Sequence, residues 1–272
     1  MNELALFAGT GGGILGGKLL GWRTVCAVER DAYAASILAQ RQNDGILEPF
    51  PIWSDVRSFS GYPWRGIIDI VSGGFPCQDI SLANRDAKGI SGERSGLWKE
   101  MFRIVCEVRP RYVFVENSPA LTSRGIGCVL GDLASVGFDA EWDVFGAHHV
   151  CAPHKRDRIW ILAYTRRQYG DPRPIQGMEP KQQEPKGQKS KHFCQVFSYP
   201  ASERLQAVGL SIRENSKKSM PCKSGWWEAE PNVGRVANGV AFGMDRLRAI
   251  GNGQVPSVAA IAFTILKERI CT

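Results

Sequence analysis

A single cysteine stands where a buried strand would give way to a tight loop. The apolar run 67–71 is followed by two glycines and Pro76, and Cys77 is the first reactive side chain beyond them. Ligands of open α/β sheets bind in the crevice beyond the carboxyl ends of the strands, so this position favours chemistry over packing. We therefore predict that Cys77 is a nucleophile; the alternative is an ordinary small apolar residue.

A carboxyl group follows a second apolar run. Residues 112–115 have the composition of a buried strand, and Glu116 comes directly after them. Because neighbouring parallel strands end at the same edge of a sheet, Glu116 and Cys77 are expected to reach one crevice. A thiol beside a carboxylic acid suits covalent attack on an electrophile with proton donation nearby. The alternative for Glu116 is a cap on the next helix.

The N-terminal glycine cluster has the spacing of a nucleoside-binding loop. Gly11-x-Gly13-x-x-Gly16 follows the strand candidate 4–7, and Glu29 ends the next one. Glycines let the backbone approach a ligand closely, and an acidic side chain at the second strand can accept hydrogen bonds from both ribose hydroxyls. Asp55, after a third strand, adds an acceptor for an adenine amino group.

Two other patterns compete with this interpretation and are disfavoured. A phosphate-binding loop would start at Gly12 and reach Lys18, but Leu19 stands where a Ser or Thr must hold magnesium. Three histidines and a cysteine between residues 148 and 154 match no familiar zinc-ligand spacing. We therefore predict no metal.

Two arginines precede the last strand candidate, 159–163. Arg156 and Arg158 flank Asp157, and on an extended backbone alternate side chains point to the same side. Two guanidinium groups on one face would suit an anion or a base carbonyl.

Strand and helix patterns alternate along the chain, which predicts an α/β fold with a doubly wound, mainly parallel sheet. We expect Asp31 to cap one helix and Ser95 to cap another over 97–108. A last helix over 257–267 has no large partner of its own. It is therefore expected to pack back onto the N-terminal sheet.

Composition bounds the class of protein. The 272 residues are 43% hydrophobic and 22% charged, as in soluble globular proteins. No apolar run approaches the roughly 20 residues of a membrane span, and the N-terminus lacks a signal-peptide pattern. Eight cysteines occur singly, which favours reduced thiols. These features predict a cytoplasmic protein without a membrane association.

The positive charge is concentrated in one segment. Residues 165–223 contain twelve Lys or Arg and five Asp or Glu, so this segment alone accounts for the net charge of +7. A neutral body with one basic segment is typical of proteins that bind a polyanion. The alternative is a solvated surface insert.

Five motifs in a fixed order resemble those of the C5-cytosine DNA methyltransferases. They are Phe7-Ala8-Gly9-Thr10-Gly11-Gly12, Gly74-Phe75-Pro76-Cys77-Gln78, Glu116-Asn117, Arg156-x-Arg158 and Gly251-Asn252-x-x-x-Pro256. The resemblance implies a Rossmann-like class I methyltransferase domain formed by residues 1–164 and 249–272. It also implies a smaller, irregular target-recognition domain over residues 165–248, which contains the basic segment.

The resemblance also implies a cofactor and its site. The cofactor would be S-adenosylmethionine, released as S-adenosylhomocysteine, with no metal involved. The implied cofactor-binding residues are Phe7, Ala8, Gly9, Thr10, Gly11, Gly12, Glu29, Asp55, Pro76, Leu97 and Asn252.

Four residues carry the implied reaction. Cys77 would attack C6 of a cytosine flipped out of the duplex, and Glu116 would protonate N3. Arg158 would contact the base carbonyl, and Arg156 would support the site and a nearby phosphate. The loop 89–96 would close over the DNA.

The implied partner is double-stranded DNA, bound by a monomer that can be paired with a restriction endonuclease. The setting would be the cytoplasm of a bacterial cell, with the gene encoded by the host or by a virus. Two alternatives stay open: methylation of a structured RNA such as tRNA, and a catalytically silent DNA-binding homologue.

Overall fold

A seven-stranded sheet organises the chain. A computed structural model describes residues 1–76, 96–165 and 243–271. The strand order is β3-β2-β1-β4-β5-β7-β6. The strands are β1 Asn2–Leu6, β2 Arg23–Val28, β3 Ile52–Trp53, β4 Ile70–Gly73, β5 Tyr112–Asn117, β6 Asp139–Phe145 and β7 Arg158–Tyr164.

Strand direction brings one set of chain ends together. Strands β1 to β5 are mutually parallel, whereas β7 runs antiparallel to both β5 and β6. The predicted mainly parallel sheet is therefore confirmed. The carboxyl ends of β1 to β5 lie at the same edge as the amino end of β7.

Helices cover both faces of the sheet, which confirms the doubly wound α/β class. On β5, Val113 and Val115 pack in the core with α3 (Leu97–Val108) and α5 (Ile126–Ser135), while Tyr112 and Phe114 pack with α7 (Pro256–Cys271) on the other face. Helices α1 (Gly12–Leu19) and α2 (Ala32–Asn43) pack on that second side, over Ala5 and Ala27. The helices are α1 Gly12–Leu19, α2 Ala32–Asn43, α3 Leu97–Val108, α4 Leu121–Arg124, α5 Ile126–Ser135, α6 Gly243–Asn252 and α7 Pro256–Cys271, with 3₁₀ turns at Tyr62–Trp64 and Ala147–Val150.

The two predicted helix caps have different outcomes. The Asp31 carboxylate accepts a hydrogen bond from the Ala34 backbone N–H at 3.0 Å and caps α2, as predicted. The predicted cap of α3 is wrong, because Gly96 occupies the N-cap position and makes no side-chain bond. Ser95 lies outside the described residues.

The last helix packs on the sheet, as expected. On α7, the Phe263 ring lies 4.7 Å from Trp22 and 5.5 Å from Phe114, measured between centroids. By length and composition alone, however, the stretch Ala249–Cys271 is apolar enough to cross a membrane. The expectation that no run approaches that length was therefore wrong. Because Phe263 packs on rings of the sheet side, α7 has the contacts of a helix in a protein core.

Several sequence-based assignments fall outside the described part of the chain. These are Cys77, nearly all of the predicted closing loop 89–96, and most of the basic segment. The predicted domain boundary at 248 falls inside α6, which begins at Gly243.

Glu3, a residue of β1, has a buried carboxyl group and is only 1% exposed. Thr24 Oγ1 and Ser72 Oγ each donate to it at 2.6 Å. Burial raises the pKa of Glu3 above its ordinary value of 4.5, and the two hydroxyl donors oppose that shift only in part. The folded chain therefore holds this proton to a higher pH than the unfolded chain does.

Replacing Glu3 by Gln should remove a pH dependence of stability. Since the pKa of Glu3 is raised in the folded state, its contribution is intact below pH 4.5 and is lost as the pH rises through the folded value. We expect the free energy of unfolding of the wild type to fall relative to Glu3→Gln over that range. Urea unfolding at a series of pH values measures it, and parallel curves for the two proteins would refute the assignment.

Candidate active site

The predicted site residues that the structure describes converge on one edge of the sheet. The glycine loop 7–12 follows β1, and Glu29, Asp55 and Pro76 follow β2, β3 and β4. Glu116 is the second-last residue of β5, so it lies inside the strand rather than after it. Pro76 is the last described residue before Cys77, so the predicted nucleophile lies outside the described residues.

The glycine loop is tied to the second strand through Glu29. Its Oε2 accepts a hydrogen bond from the Gly9 N–H at 2.6 Å, and its Oε1 accepts one from the Asp31 N–H at 2.7 Å. Each carboxylate oxygen keeps a further lone pair for a ligand hydroxyl. Gly9 and Gly11 have φ values of +54° and +89°, a region that glycine enters without strain. The loop is thus shaped to hold a ligand against Glu29.

The remaining predicted cofactor residues are less constrained. Asp55 is half-buried, and its Oδ1 accepts a bond from the Arg57 N–H at 3.0 Å. Leu97 begins α3 and is half-buried, whereas Asn252 ends α6 and is exposed.

Glu116 and Arg158 form an ion pair between neighbouring strands. The distance from Arg158 Nε to Glu116 Oε1 is 2.9 Å. The pair forms because β7 runs antiparallel to β5, with Glu116 opposite Trp160 and Asn117 opposite Ile159. Asn117 Nδ2 also donates to the Phe75 carbonyl at 3.2 Å, which ties the loop before Cys77 to β5. Sequence reasoning assigned no role to Asn117.

The environment of Glu116 opposes ionisation of its carboxyl group more than water does. The residue is 9% exposed, and burial raises the pKa of its carboxyl group. Arg158, Gln254 and Arg156 oppose that shift, in this order, but do not cancel it. A carboxyl group with a raised pKa can act as a proton donor near neutral pH.

Arg156 does not lie where the alternating pattern predicted. Its φ of +43° breaks the extended backbone, so Arg156 and Arg158 are not simple neighbours on one strand face. Arg156 Nη2 instead donates to the carbonyls of Ile250 and Gly251, at 3.0 and 2.9 Å, and to that of Gly253. Arg156 therefore holds the end of α6 and the C-terminal loop, residues 253–255, next to the site.

Gln254 is a site residue that sequence reasoning missed. Its backbone carbonyl lies 2.1 Å from where a Cβ on Gly12 would stand, and its side-chain Oε1 lies 2.3 Å from the Cβ position of Gly13. Its Nε2 reaches Glu116 Oε2 at 3.4 Å. The only sequence signal was its place within the Gly-Asn motif.

Replacing Gly12 by Ala should prevent the C-terminal loop from packing on the glycine loop. The new methyl group would meet the backbone carbonyl of Gln254, which cannot move like the end of a flexible side chain. We expect a loss of about 1–3 kcal/mol in the free energy of unfolding. A matched control is Gly131→Ala in α5, where nothing lies within 4 Å. There the same change should stabilise the helix by about 0.5–1 kcal/mol. Similar results for both variants in denaturant unfolding would contradict the packing.

Comparison with known proteins identifies the family. The model of the family described as C-5 cytosine-specific DNA methylase matches residues 1–263. The chain belongs to this family.

Its relatives include Type II methyltransferases of bacteria. M.PspPI of Psychrobacter sp. (strain TA137) is 31% identical over 180 residues, which is 62% of this chain and 42% of the relative. M.NgoBI of Neisseria gonorrhoeae is 29% identical over 259 residues, covering 92% of this chain and 75% of the relative. The chain thus spans less than half the length of M.PspPI.

Solved structures also match part of this chain. One is a putative DNA modification methyltransferase encoded within a prophage of E. coli. It is 26% identical, the match covers 61% of this chain and 47% of the solved chain, and the TM-score is 0.48. The Dnmt2 methyltransferase of S. pombe is 20% identical, with coverage of 61% and 51% and the same TM-score.

Proposed function

We propose that the protein is a DNA (cytosine-5)-methyltransferase acting on a specific duplex site. The observation that carries the proposal is the Glu116–Arg158 ion pair, which lies at the strand edge where the glycine loop and the loop leading to Cys77 also meet. A proton donor, a base-binding cation and a nucleoside-binding loop around one thiol are the parts that this chemistry requires.

The glycine loop fits S-adenosylmethionine. The Glu29 carboxylate is fixed by two backbone N–H groups and retains lone pairs for ribose hydroxyls. Asp55 would accept from the adenine amino group, and residues 7–12, Pro76, Leu97 and Asn252 would complete the site. The bound cofactor supplies an electrophilic methyl group and leaves as S-adenosylhomocysteine.

The side chains of this chain would act on a flipped-out cytosine. The base must leave the stack because C6 is unreachable inside the duplex. Cys77 Sγ forms a bond to C6 while Glu116 gives a proton to N3, which makes C5 electron-rich. Arg158 binds the base carbonyl and holds Glu116 in place. After C5 is methylated, a base takes the C5 proton, the C6–Sγ bond breaks to release the Cys77 thiolate, and N3 returns its proton to Glu116.

Arg156 is better described as a positioning residue than as a catalytic one. Its guanidinium group donates to the carbonyls of Ile250 and Gly251 near the end of α6, and to that of Gly253 in the loop that follows. We propose that it supports the site by holding that loop, and that a phosphate contact is secondary.

The basic segment 165–223 would bind the DNA. Lys and Arg there would neutralise phosphates, and some would read guanine edges in the major groove. We propose further that residues 165–248 form the target-recognition domain and that the protein acts as a monomer without membrane association. The protein would act in the bacterial cytoplasm, together with a restriction endonuclease. Its gene would be encoded by the host or by a virus.

Transfer of a labelled methyl group tests the proposal. The purified protein is incubated with S-adenosylmethionine carrying tritium in the methyl group, and with unmethylated mixed-sequence duplex DNA or structured RNA. Label on DNA, recovered as 5-methylcytosine after hydrolysis, is expected. Label on RNA alone would replace the proposal with RNA methylation. No label on either would favour a silent DNA-binding protein.

A further inference from the structure

Gln254 links the glycine loop to the proton donor. Three positions along its side chain and backbone face residues that lack a Cβ: Gly12, Gly13 and Gly74. Any larger residue at Gly74 would place its Cβ 3.1 Å from Gln254 Nε2 and 2.5 Å from Glu116 Oε2. Gln254 can occupy this position because its three neighbours are all glycines.

The two oxygens of Glu116 have different partners. Oε1 pairs with Arg158 at 2.9 Å, and Oε2 faces Gln254 Nε2 at 3.4 Å. An ion pair to one oxygen alone leaves the carboxyl plane free to rotate about its last bond. A second donor on the other oxygen fixes that plane, and with it the direction in which a proton is delivered.

We propose that Gln254 is a positioning residue for proton transfer, which holds the Glu116 carboxyl group in its productive orientation. This inference rests on the proposed function, because Glu116 needs an orientation only if it protonates a base. Gln254 acts through Glu116 and touches no reacting atom.

The charges around Glu116 define what a change at Gln254 would do. Among the described residues, Arg158 faces Glu116 from β7 and Arg156 from the loop before it. Gln254 is the neutral donor, and its hydrogen bond lowers the pKa of Glu116 against the effect of burial. Without this donor the pKa of Glu116 should rise, because the ionised carboxylate loses a partner.

Two variants and one control test the inference. Gln254→Leu removes the donor at similar size, and Gln254→Glu places a second carboxyl group beside the first. The control is Gln40→Leu, an exposed residue of α2 whose Nε2 donates to Asp44. We expect kcat to fall about tenfold in both Gln254 variants, the loss of one orienting hydrogen bond. The control should keep wild-type kcat.

The pH profile separates positioning from a merely structural role. If Glu116 must be protonated, kcat falls as the pH rises through its pKa. That alkaline limb should move to higher pH in Gln254→Leu, and further in Gln254→Glu, because like charges disfavour ionisation. A lower kcat with an unmoved limb, or only a raised KM for S-adenosylmethionine, would overturn the inference.

A titration that needs no activity completes the test. The carboxyl ¹³C signal of Glu116, assigned with Glu116→Gln, is followed against pH in the wild type and in Gln254→Leu. We expect a higher titration midpoint in the variant, and an unchanged midpoint overturns the inference. If the wild type transfers no methyl group while the midpoint still moves, the proposed function fails but the contact between the two side chains stands.

Discussion

Glu116→Gln should lower kcat by about 10²–10⁴-fold, the usual contribution of one general acid. The amide is nearly isosteric with the carboxyl group and can still accept from Arg158, so the fold should be retained. It cannot give a proton to N3, so the attack of the thiol on C6 is no longer assisted. Single-turnover methyl transfer at saturating cofactor and DNA measures the effect, with thermal unfolding as a check on folding.

The exposed Glu48 provides the control for this change. Glu48→Gln should transfer methyl groups at the wild-type rate. The wild type should also lose activity as the pH rises through the raised pKa of Glu116. A Glu116→Gln protein with nearly full kcat would mean that the ion pair with Arg158 is structural.

Cys77→Ser should abolish methyl transfer while leaving cofactor and DNA binding intact. A serine hydroxyl is a far weaker nucleophile than a thiolate, and no neighbouring base is assigned to activate it. The expected result is no labelled 5-methylcytosine above background, with dissociation constants for DNA and S-adenosylmethionine unchanged within about threefold.

An exposed free cysteine serves as the control here. Cys128 lies on α5, and Cys128→Ser should retain full activity. Activity lost in both variants would indicate a general sensitivity to thiol replacement. Activity retained in Cys77→Ser would remove the nucleophile assignment, and with it the covalent mechanism.

The parts of the site that sequence predicted depend on local patterns. The glycine loop, Glu29 and Glu116 each sit at the end of an apolar run, and parallel strands bring such ends to one edge. The position of β7 could not be predicted in this way. Alternating elements do not show that β7 enters between β5 and β6, yet this placement is what pairs Arg158 with Glu116.

The misses at the site depend on contacts that are distant in sequence. Gln254 and Glu116 are 138 positions apart, and no spacing rule relates them. Arg156 was assigned an extended backbone because its neighbours alternate, but its carbonyl partners lie more than 90 positions away, and its φ is positive. Contacts between distant parts of the chain therefore determine the positions of both Gln254 and Arg156.

Bisulfite sequencing of DNA from cells that express the chain tests the central claim most directly, because it reports both the reaction and the site. Cells that express Cys77→Ser are the matched control. We expect cytosines in one short sequence context to be protected from conversion in the wild-type sample alone. Complete conversion in both samples, with the wild-type protein folded and present, would contradict the assignment as a DNA cytosine methyltransferase.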